Sequence, residues 1–345
     1  MKKIYSIELL RFFSISLVLL WHYKFFFFAS NKYYKFNIET EKILLPFYNI
    51  LKKFYNAGYY GVELFWCISG FIISYIYLSH SKKVSAKKYF INRFSRLYPL
   101  HLLTLIIVLI LQITSKVFTN NFQVFFGNDF YHFILNLLFI SGWGFEKTTS
   151  FNQPIWSVSI EIIIYIFFYL LINFIKKYKY KFLILLYLIL FLFNKFIIPN
   201  SILNAGAFFV SGILVYFLFF EKRKIFYYLL IILFFINISG NFKINTFCPF
   251  MIMICLLGEK YINKNTKNIF SFFGNLTYSA FLLHFPLTLI ILIIQGVLNF
   301  SSDMYFTYKF FFFYFVILII ISHLSFIFFE TKIKNKIRNL MLKKI

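Results

Sequence analysis

The chain has 345 residues, of which 61% are hydrophobic, 25% aromatic and only 14% charged, whereas an ordinary soluble domain is about 45–50% apolar and about 25% charged. At a mean hydropathy of +0.77 there is too little polar material to cover a globular surface, which excludes both disorder and a water-soluble enzyme. The 36 Lys and Arg against 11 Asp and Glu give a net charge of +25, a balance that in a soluble protein suggests nucleic acid. Here the basic residues cluster between apolar runs, so they read as orientation in a bilayer, with membrane lipids and no nucleic acid as partners.

A spanning helix takes about 17–25 mostly apolar residues. In chain order such runs cover 6–28, 59–79, 97–117, 155–175, 182–199, 202–220, 225–240, 244–258, 270–297 and 308–330. Arg11 and His22 interrupt the first run and no small-residue cleavage site follows it, so a retained span is expected rather than a cleaved signal. The stretch 130–143 is short and contains His132 and Asn136. With Met1 in the cytoplasm and 130–143 outside the count, the larger share of Lys and Arg falls on the cytoplasmic side. If 130–143 crossed, that share would fall outside, against the positive-inside rule. The expectation is therefore an all-α polytopic membrane helix bundle of about ten transmembrane helices. Both termini are cytoplasmic, 130–143 lies on the outer face, and 1–345 forms a single integral membrane domain with no added soluble domain. No internal repeat is visible, which gives no support to an inverted-repeat transporter.

Ionisable groups inside spans are expensive, roughly 2.5–3.5 kcal/mol at mid-helix for Arg or Asp, and are functional candidates by default. Here they are Glu8, Arg11, His22, Glu63, Glu161 and His284. Arg11 and His22 stand about three turns apart on one helical face, and Glu8 sits at pairing distance from Arg11. Glu63, at a depth similar to His22, could orient its ring and raise its basicity. Gly58, Gly61 and Gly70 permit close helix approach. Lys82, Lys83, Lys87 and Lys88 read as topology signals, but the chain has only five arginines and places two of them at Arg93 and Arg96. That choice points to bidentate phosphate recognition. Trp156 and Glu161 mark the outer start of one span, and His284 stands mid-span beside Pro286. Cys67, Cys248 and Cys255 have no paired spacing and are expected to pack, with no metal site.

Five separated motifs, in order along nearly the whole chain, resemble the acyltransferase 3 family of integral membrane O-acyltransferases that modify bacterial envelope polysaccharides. They are Leu10-Arg11 through His22; Gly61-Val62-Glu63-Leu64-Phe65 with Ser69-Gly70-Phe71; Arg93 and Arg96 with Pro99; Trp156-Ser157 with Glu161; and Tyr278-Ser279 with His284. The resemblance implies a multi-pass protein of the bacterial cytoplasmic (inner) membrane. Its donor would be acyl-CoA, most plausibly acetyl-CoA, from the cytoplasm, and its acceptor a hydroxyl of an envelope polysaccharide or lipid-linked glycan. No permanently bound cofactor is implied. His22 and Glu63 are the expected catalytic residues, Arg93, Arg96 and Arg11 the expected donor-binding ones, and Trp156, Glu161 and His284 the expected acceptor-side ones. Two positions depart from the family pattern: Glu63 stands where aspartate is usual, and Glu330 is followed by Thr331-Lys332 rather than a proline-bearing element. The competing function class is a flippase or transporter for a lipid-linked sugar, which has no stated need for the Arg93/Arg96 pair.

Overall fold

The structure, a computed structural model, describes residues 2–27, 45–79, 84–198, 200–238 and 243–342. Lys82 and Lys83 of the basic segment lie outside them. The described residues contain helices and no strand, as the bilayer requires of a chain with no closed barrel: only a helix satisfies its own backbone groups in hydrocarbon. The helices are α1 Tyr5–His22, α2 Tyr48–Tyr77, α3 Ala86–Thr119, α4 Phe130–Leu137, α5 Trp156–Phe196, α6 Ser201–Glu221, α7 Arg223–Ile238, α8 Ile244–Gly258, α9 Lys264–Leu298, α10 Tyr308–Ser325 and α11 Thr331–Leu342.

Among the described residues seven helical stretches are long and apolar enough to cross a membrane: Tyr5–Phe27, Tyr48–Tyr77, Ala86–Thr119, Gln153–Phe196, Ser201–Glu221, Lys264–Leu298 and Tyr308–Leu342. The difference from ten has local causes. The expected spans 155–175 and 182–199 are two helices that meet within α5 at one non-helical residue, Lys179 (φ 47°, ψ −130°), and so fall in one of the seven stretches. The expected spans 225–240 and 244–258 form helices of only 16 and 15 residues, below the usual crossing length. The stretch 130–143 contains the eight-residue α4, which rises only about 12 Å and cannot cross a hydrocarbon core of about 30 Å.

Two compact units result. The first comprises 1–14, 59–84 and 160–275. Here α6, α7 and α8 pack on one another, and α2 lies backbone to backbone against α6. A Cβ on Gly70 would collide with the Phe209 carbonyl, and one on Gly212 with the Cys67 carbonyl. The side chain of Asn200 opens α6 by accepting from the Ile202 amide at 2.7 Å, the usual use of asparagine before a first turn.

The second unit comprises 15–58, 85–159 and 276–345. Its long α3 packs against α4 and α11. Asp129 caps α4 by accepting from the His132 amide at 2.8 Å, and Thr307 caps α10 by accepting from the Phe310 amide at 3.2 Å. Between α10 and α11 the chain widens into a π-turn over Phe326–Glu330 that buries Glu330; such turns are frequent at functional sites. Gly58 of α2 meets the Trp21 side chain and the Leu17 carbonyl of α1. This fixes the last turn of α1, where His22 stands.

Candidate active site

In the second unit the two in-span histidines meet. His22 Nδ1 and His284 Nε2 are 2.9 Å apart, and the rings lie nearly parallel, with centroids separated by 4.9 Å. Phe25 also stacks on the His22 ring at 4.6 Å, and Trp21 packs edge-on to it at 4.9 Å. Lys24 covers the Trp21 ring at 3.7 Å. The imidazole is therefore held by aromatic neighbours and by its partner ring. Tyr23 anchors the turn just beyond by donating to the Tyr305 carbonyl at 2.8 Å.

Proline explains how α9 presents His284. Pro286 has no N–H for the carbonyl four residues back, at Leu282. Asn152, buried just before α5, donates its side-chain amide there instead, at 3.1 Å. One turn further along, Thr288 donates to the His284 carbonyl at 2.9 Å and Tyr314 donates to the same oxygen at 3.2 Å. His284 is fully buried. Its Nδ1 has no partner at hydrogen-bond geometry.

Arg93 and Arg96 sit one turn apart on α3, both partly buried. Pro99 follows in the same helix and leaves the Ser95 carbonyl without its helical donor. Tyr278 of α9 donates to the Leu97 carbonyl at 2.5 Å. Its neighbour Ser279 donates to Glu330 of the π-turn at 2.9 Å. Trp156 is half-buried at the start of α5.

The loop between α3 and α5 carries its own polar network. His132 Nδ1 is 2.8 Å from Asp129, and Nε2 accepts from the Lys147 amide at 3.3 Å. Both ring nitrogens are thereby used, so His132 is a loop fastener. The His132 amide and then its ring hold the Asp129 carboxyl below the usual range, whereas burial pushes the Glu146 carboxyl up against donors from Ser150, Gln153 and Asn136.

The first unit holds the other in-span charges. Glu8 and Arg11 form the expected pair at 3.0 Å, and Gly274 leaves room for the Glu8 side chain. Glu63 is buried and accepts from Asn204 of α6 at 2.9 Å, while its Oε2 has no hydrogen-bond partner. Glu161 accepts from the hydroxyls of Ser69 and Tyr165. Asn152, Asn204 and Tyr165 were not singled out in the sequence. Ranking in-span groups by charge passes over neutral amides and hydroxyls, although hydrocarbon penalises them too when unpaired.

Among the described residues no group of three or more His, Cys, Asp or Glu is placed to hold a metal ion. The three cysteines are free, with Cys67 near Ser211 at 3.2 Å.

A family model described as an acyltransferase domain matches residues 4–330. Over 126 residues the chain is 30% identical to Acyltransferase MdmB of Streptomyces mycarofaciens, a match that covers 35% of this chain and 30% of that protein. No solved structure matches. Several apolar helices of spanning length and a family model that takes in nearly the whole sequence lead to one assignment: this is a multi-pass membrane protein and belongs to the acyltransferase 3 family.

Proposed function

We propose that the protein moves an acyl group, most simply acetyl, from cytoplasmic acyl-CoA to a hydroxyl of an envelope polysaccharide or lipid-linked glycan. The observation that carries this reading is the 2.9 Å approach of His22 Nδ1 to His284 Nε2 in a chain of an acyltransferase family. In this reading His284 carries its proton on Nδ1, so Nε2 presents a lone pair and accepts from His22 Nδ1–H across the 2.9 Å contact. The lone pair of His22 is then on Nε2, the form a general base needs.

In the reaction His22 Nε2 takes the proton of the sugar hydroxyl as that oxygen attacks the thioester carbonyl. The C–O bond forms, the C–S bond breaks, and the departing thiolate takes the proton from the imidazolium to give free CoA. Arg93 and Arg96 hold donor phosphates through paired N–H donors, and Arg11, beside Glu8, serves the donor channel. Glu63, with one carboxylate oxygen open, is a second proton-handling group. Trp156 and Glu161 serve the acceptor side. Cytoplasmic termini and the inner membrane complete the proposal, with the basic segment at 82–96 on the side where acyl-CoA is made.

The test is transfer of label from acetyl-CoA to glycan by the purified protein, and the mass of the cell-surface glycan with and without the gene. The expected results are label transfer abolished by His22→Ala and a mass difference of one acyl group. Full transfer by His22→Ala removes the catalytic assignment, and loss of the entire glycan indicates a flippase.

A further inference from the structure

Within the second unit, the chain that follows α3 turns back along it. Asn120 closes the helix in the left-handed conformation (φ 60°). Ser115 then donates to the Asn121 carbonyl at 2.8 Å and Thr119 to the same oxygen at 3.2 Å. Gln112, buried in the helix, donates its side-chain amide to the Gln123 carbonyl at 2.9 Å and accepts from the Gln123 amide at 3.0 Å. Gln112 stands about two turns before Thr119, so the segment 120–123 re-enters toward that level. Non-helical backbone at membrane depth is tolerated where protein satisfies its polar groups, and Gln112 satisfies both of those of Gln123.

The next turn is a strained one. The Phe125 amide donates back to the Gln123 carbonyl at 2.6 Å, closing a γ-turn on Val124, whose φ is 61°. A β-branched residue is an outlier in that region, and a γ-turn of this hand is rare. Such strain persists where surrounding contacts over-determine it, and it gathers at functional sites. What it achieves here is the placing of one ring. Phe125 lies 5.4 Å from Phe25 and 5.0 Å from Phe285, which are 6.0 Å from each other. Phe25 stacks on His22 at 4.6 Å, and Phe285 follows His284 directly in α9.

We propose that Phe125 is a positioning residue of the histidine pair: the re-entrant segment, fastened by Gln112, sets its ring against Phe25 and Phe285 and so fixes the approach of His22 to His284. The inference rests on the reading of His22 as general base and adds to it a residue from a third part of the chain. Phe125 acts through the two rings beside the imidazoles.

The first measurement is acyl transfer from acetyl-CoA by the full-length protein in detergent. Phe125→Ala is expected to lower kcat by about ten- to a hundredfold, the cost of a reacting group misplaced by about 1 Å, with half-saturation by acetyl-CoA unchanged. Gln112→Leu lowers kcat in the same way. Phe125→Tyr keeps the ring and most of the rate, and the exposed neighbour Phe126 tolerates alanine. With His22 already alanine, Phe125→Ala changes kcat little, because nothing is left to position. The second measurement needs no turnover. The side-chain nitrogen-15 resonances of His22 and His284, assigned by His22→Ala and His284→Gln, shift or broaden in Phe125→Ala and stay in place in Phe126→Ala. If Phe125→Ala does not fold, Phe125→Leu, which also lacks the ring, carries the same expectations. The inference is overturned by a parent-like kcat in Phe125→Ala or Gln112→Leu, by an equal loss in Phe125→Tyr or Phe126→Ala, or by a loss that appears as weaker acetyl-CoA saturation. A full further loss in the double variant, or unmoved His22 and His284 resonances, overturns it as well. Moved resonances in a protein that transfers no acyl group remove the reaction proposed above and leave Phe125 as the residue that holds the pair.

Discussion

Asn152 supplies the hydrogen bond that Pro286 denies to Leu282. Its side-chain amide reaches the Leu282 carbonyl at 3.1 Å, at the point where a proline interrupts the ladder of α9. Asn152→Leu is expected to leave that buried carbonyl unsatisfied and to cost about 1–3 kcal/mol. Pro286→Ala restores an N–H to the helix, so the double variant recovers part of that loss. Thermal unfolding in detergent measures the coupling, and strictly additive effects would show that Asn152 does not compensate for the proline.

That bond also marks the limit of what was legible in the sequence. Hydropathy alone located the regions of α1, α2, α3, α5, α6, α9 and α10, because the bilayer imposes length and composition on each span separately. It also separated 155–175 from 182–199, which meet at the non-helical Lys179, but a cluster of lysines does not show how short the break between them is. The in-span rule picked out His22, Glu63, Glu161 and His284, but their partners are tertiary facts. His22 and His284 are 262 positions apart, and no local pattern pairs Glu63 with Asn204 or Ser69 with Glu161. His22 and Glu63 were read together from similar depth; the structure gives each a hydrogen-bond partner in its own unit.

Gly70 and Gly212 were open to a simpler test than any charge. Their Cα atoms lie against the backbone of the facing helix, so a single methyl group has nowhere to go. Gly70→Ala is expected to destabilise the fold by about 1–3 kcal/mol or more, as overpacking does, and Gly212→Ala to match it. Alanine at Gly144, which has open space but a φ of 96°, is strained only by its backbone and should cost less. A Gly70→Ala protein that unfolds at the parent temperature would refute the close packing of α2 on α6.

For topology, a reporter fused after Lys181 is expected in the cytoplasm and one near Glu146 outside. The turn at Lys179 puts the first fusion at the end of the first crossing of α5, and the eight-residue α4 keeps the second on the face where α3 ended. Both reporters on one side would mean that α5 does not turn at Lys179 as a membrane boundary.

Arg93 and Arg96 allow charge to be separated from geometry. If positive charge alone mattered, lysine at both positions would preserve donor binding. A planar guanidinium makes two parallel bonds to phosphate that an ammonium cannot. The Arg93→Lys, Arg96→Lys variant is therefore expected to need about ten- to a hundredfold more acyl-CoA for half-saturation, with normal membrane insertion because lysine satisfies the same orientation rule. Unchanged saturation would make this segment a topological anchor.

The histidine pair gives the most discriminating experiment, because its two rings have different tasks. His22→Ala removes the general base and is expected to lower kcat by about 10²–10⁴-fold. His284 acts through His22: it accepts from Nδ1–H and so keeps the lone pair on Nε2. His284→Gln places an amide oxygen close to where Nε2 stood and can still accept that proton, whereas His284→Leu cannot. Both should leave the apparent affinity for acyl-CoA unchanged, since neither touches the arginines, and kcat should fall more for leucine than for glutamine. With His22 already alanine, replacing His284 should change kcat little, because a positioning residue has nothing left to position. If the tautomers were reversed, with His284 donating to His22, leucine would free His22 Nδ1 and glutamine would confer no advantage. A leucine variant as fast as glutamine, or a full further loss in the double variant, would therefore show that His284 does not act by holding His22.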